Sequence, residues 1–148
     1  MNTVRAAAVL FAIVILGGSA PRASGESDAD LIARTISHSA TTTRSYVGAR
    51  VVDCSLLLRQ VSPGEKKRTV IPLTDLDERS FESGIAPHFD CWYFEVHTQQ
   101  QRHAIKTGTS KWSTNLPNYY LFVERQEDAE RLRSALVRLV RFCRRVPK

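Results

Sequence analysis

Residues 118–145 read NYYLFVERQEDAERLRSALVRLVRFCRR, and two periods meet in this stretch. Asn118 to Val123 carries Tyr119, Leu121 and Val123 on one face and Tyr120 and Phe122 on the other, which predicts a strand buried on both sides. From Arg125 the period becomes helical. Leu132, Leu136, Leu139 and Cys143 recur at three- and four-residue spacing, flanked by Ala129 and Val140. A helix from Arg125 to about Arg144 makes roughly five turns. Its apolar stripe cannot stand alone in water and requires a surface to cover. Glu124, Glu127, Asp128 and Glu130 crowd its start and Arg138, Arg141, Arg144 and Arg145 its end, which complements the helix dipole. Glu127 and Arg131 stand in the favourable i,i+4 order. Arg131, Arg138, Arg141 and Arg145 also share one side of the helix, so an anion-facing stripe is the functional alternative there.

What the helix covers is read from the chain before it. Ser27 to about Ser39 predicts a short helix, with Ser27 and Asp30 at capping-box spacing and Ala29, Leu31, Ile32 and Ile36 as its apolar face. A Thr-rich connection follows over residues 40–45. Tyr46 to Val61 predicts one long strand, with Val52, Cys54, Leu56 and Leu58 alternating against Val51, Asp53, Ser55, Leu57 and Arg59. Ser62-Pro63-Gly64-Glu65 supplies turn chemistry. Lys66 to Leu73 then returns, and Pro72 marks an edge or a bulge. Phe81 begins a short strand, which Gly84 and Pro87 interrupt. Cys91 to His97 is a strand with Trp92, Phe94 and Val96 on one face and Tyr93, Glu95 and His97 on the other. Arg102 to Thr107 is expected to return beside it, with Ile105 across from Phe94 or Val96. Gly108 to Pro117 reads as a loop holding Trp112. The expected fold is therefore α+β: an antiparallel sheet or small barrel closed by one C-terminal helix, with a short helix at the N-terminal side.

Residues 1–25 read as a secretory signal peptide. Met1 to Arg5 is a short basic region, Ala6 to Leu16 is apolar, and Gly17 to Gly25 is rich in small residues. Cleavage is expected near Gly25/Glu26, with Ala20 the alternative. The apolar core falls short of the ~20 residues that a membrane span needs. No transmembrane segment is expected after cleavage, and the mature chain is expected to be secreted or periplasmic. The remaining chain divides into a short helix and linker over residues 26–45 and one β domain with its closing helix over residues 46–148. It has single-domain length. The formal charge is +6 from 21 basic and 15 acidic residues; setting Arg5 and Arg22 aside leaves 19 basic residues, a surplus of 4. So small a surplus argues against a dedicated nucleic-acid binder and is compatible with attraction to anionic envelope surfaces.

Three cysteines allow at most one internal disulfide. Cys54 shares a predicted strand face with Leu56 and Leu58, and Cys143 lies on the apolar face of the last helix. A Cys54–Cys143 bridge is one outcome; two buried free thiols acting as small hydrophobes is the other. Cys91 is the expected odd thiol.

Hairpins followed by a single C-terminal helix resemble the pleckstrin-homology-like (PH-like) barrel over about Tyr46 to Arg145. Arg59, the turn, then Lys66-Lys67-Arg68 resembles the basic first hairpin that lipid-binding members aim at phosphoinositide phosphates. The family's usual Trp in the closing helix has no counterpart, since Trp92 and Trp112 both precede the helix. The resemblance implies an adaptor fold without catalysis.

The motifs for chemistry are sparse. No pair of Cys or His has structural-zinc spacing, and His97 and His103 are expected on opposite faces, so neither a metal site nor a cofactor is expected. There is no Gly-x-Ser-x-Gly elbow and no HExxH. Cys91 and His97 lie six residues apart on one strand, ~20 Å at 3.3 Å per residue, too far for proton transfer. The sequence thus predicts no catalytic residues and an exported binding or adaptor module. Its partner is expected to be another envelope or extracellular protein. The alternative is an anionic lipid or polymer held by Arg59, Lys66, Lys67 and Arg68. A small secreted hydrolase remains as the second alternative, and it requires Asp75, Asp77, His88 or His97 to gather in one pocket.

Overall fold

The computed structural model describes residues 27–38, 40–41 and 44–146 of the chain. The expected signal peptide with both of its cleavage sites, and part of the linker, lie outside the described residues.

The N-terminal helix α1 spans Asp28–His38. Ser27 Oγ accepts from the Asp30 amide at 3.1 Å, the cap that the spacing predicts, and donates to the Asp30 carboxylate at 2.5 Å, so Asp30 engages the Ser27 hydroxyl in place of the backbone amide of a full capping box. Ile32 and Ile36 are fully buried.

The strands form two antiparallel sheets. Five strands of useful length and one two-residue strand make the larger sheet: β1 Ala40–Thr41, β2 Arg44–Val52, β3 Ser55–Ser62, β4 Glu65–Pro72, β7 Ile105–Gly108 and β8 Ser113–Leu116, in that spatial order. The smaller sheet orders β5 Glu82–Ala86, β6 Cys91–His97 and β9 Asn118–Val123. The sheets do not close into a barrel; of the two forms the sequence allows, the open sheet is the one adopted. A single isolated bridge, Leu76 to Thr98, lies between the named strands among the described residues.

Three local readings change. The long strand expected over Tyr46–Val61 is a hairpin, folded at Asp53 and Cys54 with φ of 46° and 57°. A two-residue turn with both residues left-handed matches the twist of the flanking strands. Asp tolerates that conformation, and no glycine announces it. Past the turn Leu56, Leu58 and Gln60 face the core, while Val52 is left exposed. Gly84 does not interrupt a strand: β5 runs through it, because a Cβ there would lie 2.9 Å from Tyr93 Oη, and its absence admits that ring. Ile105 does not cross from Phe94 or Val96. β7 pairs with β4 and with β8, which forms inside the expected Gly108–Pro117 loop, whereas β6 pairs with β5 and β9. The Ser62–Glu65 turn holds as read, with Gly64 at φ 81°. Pro72 is the last residue of β4, beyond the Arg68–Val70 segment that β7 pairs, so its missing N–H breaks no bond to β7.

The closing helix α2 spans Gln126–Arg145. Ala129, Leu132, Ala135, Leu136, Val140 and Cys143 are buried, Leu139 is half-buried, and the stripe lies in one core with Phe94, Val96, Leu121 and Val123 of the smaller sheet. The same core takes Leu56, Leu58, Ile71 and Ile105 from the larger sheet and Ile32 and Ile36 from α1. A disulfide joins Cys54 at the β2–β3 turn to Cys143 on α2, closing a sequence separation of 89 residues. Cys91 is free and buried; burial, with the charge of Asp90, pushes its thiol pKa up. No described helix is long and apolar enough to cross a membrane.

Candidate functional site

The outward face of the larger sheet follows from its alternation. Leu56, Leu58, Thr69, Ile71, Ile105 and Thr107 face inward and are buried. Their sequence neighbours therefore face outward. Register then brings cations together across four strands. Arg59 on β3 stands directly opposite Arg68 on β4, and Gly48 on β2 stands opposite Arg59 on the other side. Arg50 pairs with Leu57, Leu57 with Val70, and Val70 with Lys106. Arg50, Arg59, Arg68 and Lys106 are thus exposed around a half-buried floor of Leu57 and Val70. A shallow cleft of about 500 Å³ opens there, lined by Gly48, Arg50, Leu57, Arg59, Arg68 and Val70. Lys66 lies on the same face nearer the tip, opposite Val61. None of these five cations has an ion-pair partner among the described residues.

The structure divides the set read from the sequence. Arg59, Lys66 and Arg68 share the outward face, but Lys67 lies on the other side of β4. Its ammonium sits 5.7 Å from the Tyr119 ring centroid and 6.0 Å from that of Trp112. There it flanks a polar group inside the core: Tyr119 Oη donates to Gln60 Oε1 at 2.9 Å, and the Thr69 and Thr107 hydroxyls lie 2.8 Å apart. Arg50 and Lys106 complete the face, and both escape a linear reading because they reach it only through the β2–β3 hairpin and the β4–β7 pairing.

Of the arginine stripe expected on α2, Arg138 and Arg141 are engaged within the chain, as is Arg144 outside the stripe. Arg138 holds Asp28 of α1 through Nη2 at 2.6 Å and Nε at 3.0 Å. Arg144 reaches Glu78 at 2.6 Å, and Arg141 lies 3.6 Å from the same carboxylate. Burial disfavours the charged Glu78, but a backbone hydrogen bond and these two arginines outweigh it and hold its pKa below the ordinary value. These arginines clamp the helix to the fold.

The outward face of the smaller sheet differs in kind. Phe89, Phe122, Tyr120 and Tyr93 form a chain of ring contacts with successive centroids 6.1, 6.4 and 5.7 Å apart. Among them Glu95 is buried, at 6 % exposure, and its carboxylate accepts from Asn118 Nδ2. A hydrogen bond to Glu95, reinforced by burial, raises the pKa of Tyr120.

The residues considered for hydrolysis divide: the Asp77 amide donates to the His97 carbonyl oxygen at 2.8 Å, so these two lie side by side, whereas His88 lies apart from them. Asp75 ends a 3₁₀ turn, and Asp77 Oδ1 accepts from the Arg79 amide at 3.1 Å. His88 is exposed in the β5–β6 turn, at the opposite end of β6 from His97. His103 Nδ1 lies 3.2 Å from the Asn115 carbonyl oxygen, away from His97. No family model, curated protein or solved structure matches the chain. The PH-like likeness stays one of element order.

Proposed function

We propose that this is an exported, non-enzymatic binding module that holds an anionic group of an envelope or extracellular macromolecule against the outward face of the larger sheet. The observation that carries this reading is the Arg59–Arg68 pair, two cations placed directly opposite each other with Arg50 and Lys106 on adjoining strands and no described carboxylate to balance them. Like charges directly opposite on a sheet are destabilising. A fold indifferent to this face gains nothing from them, whereas a bound anion turns the repulsion into attraction. Three of the four cations are Arg, whose planar fork suits two-point capture of a carboxylate or phosphate. The floor of Leu57 and Val70 lowers the local dielectric beneath the guanidinium groups and offers apolar area to the ligand's carrier.

The test compares the purified protein with Arg59→Gln/Arg68→Gln by titrating both against an acidic peptide, anionic-lipid vesicles and polyphosphate at two salt concentrations. The expected result is salt-sensitive binding to at least one probe, weakened about tenfold or more in the variant. Binding to one probe alone identifies the carrier: protein, membrane or polymer. Equal binding by both proteins, or binding to none of the three, overturns the assignment.

A further inference from the structure

We propose that Glu82, Glu95 and His97 form a binding site for a divalent first-row transition-metal ion on the outward face of the smaller sheet. The three residues come from two strands. Glu82 on the edge strand β5 stands directly opposite Glu95 on β6, and His97 follows Glu95 on the same face. One ligand atom from each lies within 4.8 Å of the other two. Donor atoms around one such ion are ~3–4 Å apart, given metal–ligand bonds near 2.1 Å.

Two independent features point to an occupant. The first is the cross-strand carboxylate pair, one member of which is buried. Removing a charge from water beside a like charge is costly unless a cation compensates it. The second is His97 Nε2, which is buried and makes no hydrogen bond, although Glu95 Oε2 lies only 3.4 Å away. A single ion would meet both the unsatisfied buried nitrogen and the charge of the Glu95 carboxylate, which otherwise takes hydrogen bonds from Asn118 and Tyr120. Asn118 supplies outer support: its amide donates to Glu95 Oε1 and leaves Oε2 toward the histidine. The donor set of one imidazole and two carboxylates suits zinc, manganese or ferrous iron better than a soft ion such as Cu(I). Such an ion would tie the edge strand β5 to β6. The rival occupant is a proton on His97, which makes the cluster a plain ion pair.

The experiment is equilibrium dialysis of the purified full chain against Zn²⁺ and, separately, Mn²⁺, with thermal melts in parallel. The expected result is one ion per chain, a metal-dependent rise in Tm, and affinity reduced about tenfold or more in Glu82→Gln and about tenfold in Asn118→Ala, which keeps all three donors. Glu82 is exposed, so Glu82→Gln reports on the site even if a His97 variant fails to fold. His103→Ala, outside the cluster, is expected to bind as the parent does. No uptake by the parent overturns the proposal in favour of the ion pair. Uptake that Glu82→Gln leaves unchanged overturns it in favour of a site elsewhere.

Discussion

The two sheets each carry a like-charge pair directly across neighbouring strands, and they differ in what surrounds it. Arg59 and Arg68 stand in the open, with water on one side and the small apolar floor of Leu57 and Val70 beneath. Glu82 is exposed on the edge strand, but its partner Glu95 lies among aromatic rings and is nearly inaccessible. Solvent screens the first pair, so its cost to the fold is small and its field reaches outward to a ligand. Glu95 of the second pair lies where screening is weak, so compensation has to come from within: Asn118 donates to it, and His97 stands beside it. The contrast teaches that a charge pattern acquires meaning through burial. The same arrangement is an invitation on one face and a demand on the other.

The comparison breaks most severely if the two faces are uncoupled. The Cys54–Cys143 bridge fastens the hairpin turn of the larger sheet to the helix that covers the smaller one. Cys54→Ser with Cys143→Ser is expected to lower stability by about 2–5 kcal/mol, read by denaturant unfolding, because the bridge closes a long loop. A loss below about 1 kcal/mol means that packing alone couples the sheets.

A smaller effect sharpens the contrast between covered and open faces. A Cβ at Gly84 would meet the Tyr93 ring, whereas one at Gly48 meets nothing within 4 Å. Gly84→Ala is expected to cost about 1–3 kcal/mol, and Gly48→Ala to stay within about 0.5 kcal/mol of the parent. Equal costs in thermal melts contradict the view that only the smaller sheet is covered. The smallest effect belongs to the open pair itself. Arg59→Gln relieves repulsion and removes no ion pair among the described residues, so unfolding is expected to change by no more than about 0.5 kcal/mol, toward greater stability. Destabilisation beyond 1 kcal/mol, on the order of a lost hydrogen-bonded partner, assigns Arg59 a structural duty and weakens the binding reading.

Much of the fold was legible because it rests on local period. The strand at Asn118–Val123, the helix after it and the face assignment of Cys91–His97 follow from spacing alone and agree with the structure. The burial expected on both sides of that strand does not: Tyr119, Leu121 and Val123 are buried, whereas on the other face Tyr120 is exposed and Phe122 half-buried, because α2 and the core cover one face only. The hairpin at Asp53–Cys54 was not legible, since neither residue carries the glycine that a left-handed turn usually advertises. The strand at Gly84 was hidden for a related reason. A glycine that looks like a break is there to admit a ring arriving from the next strand.

By itself, then, the sequence determined most of the elements and their inward faces, because the hydrophobic effect acts on every turn of a helix and every second residue of a strand. It also held Arg59, Lys66 and Arg68 close enough in the chain to be read as one surface. Only the tertiary structure decided which residues stand across from one another. Strand order and register bring Arg50 and Lys106 to the cationic face, send Lys67 to the opposite side of β4, commit the helix arginines to Asp28 and Glu78, and set Glu82 against Glu95. Pairing joins residues far apart in the chain, and no local period encodes it; it emerges when the whole core finds the arrangement that buries its apolar faces together.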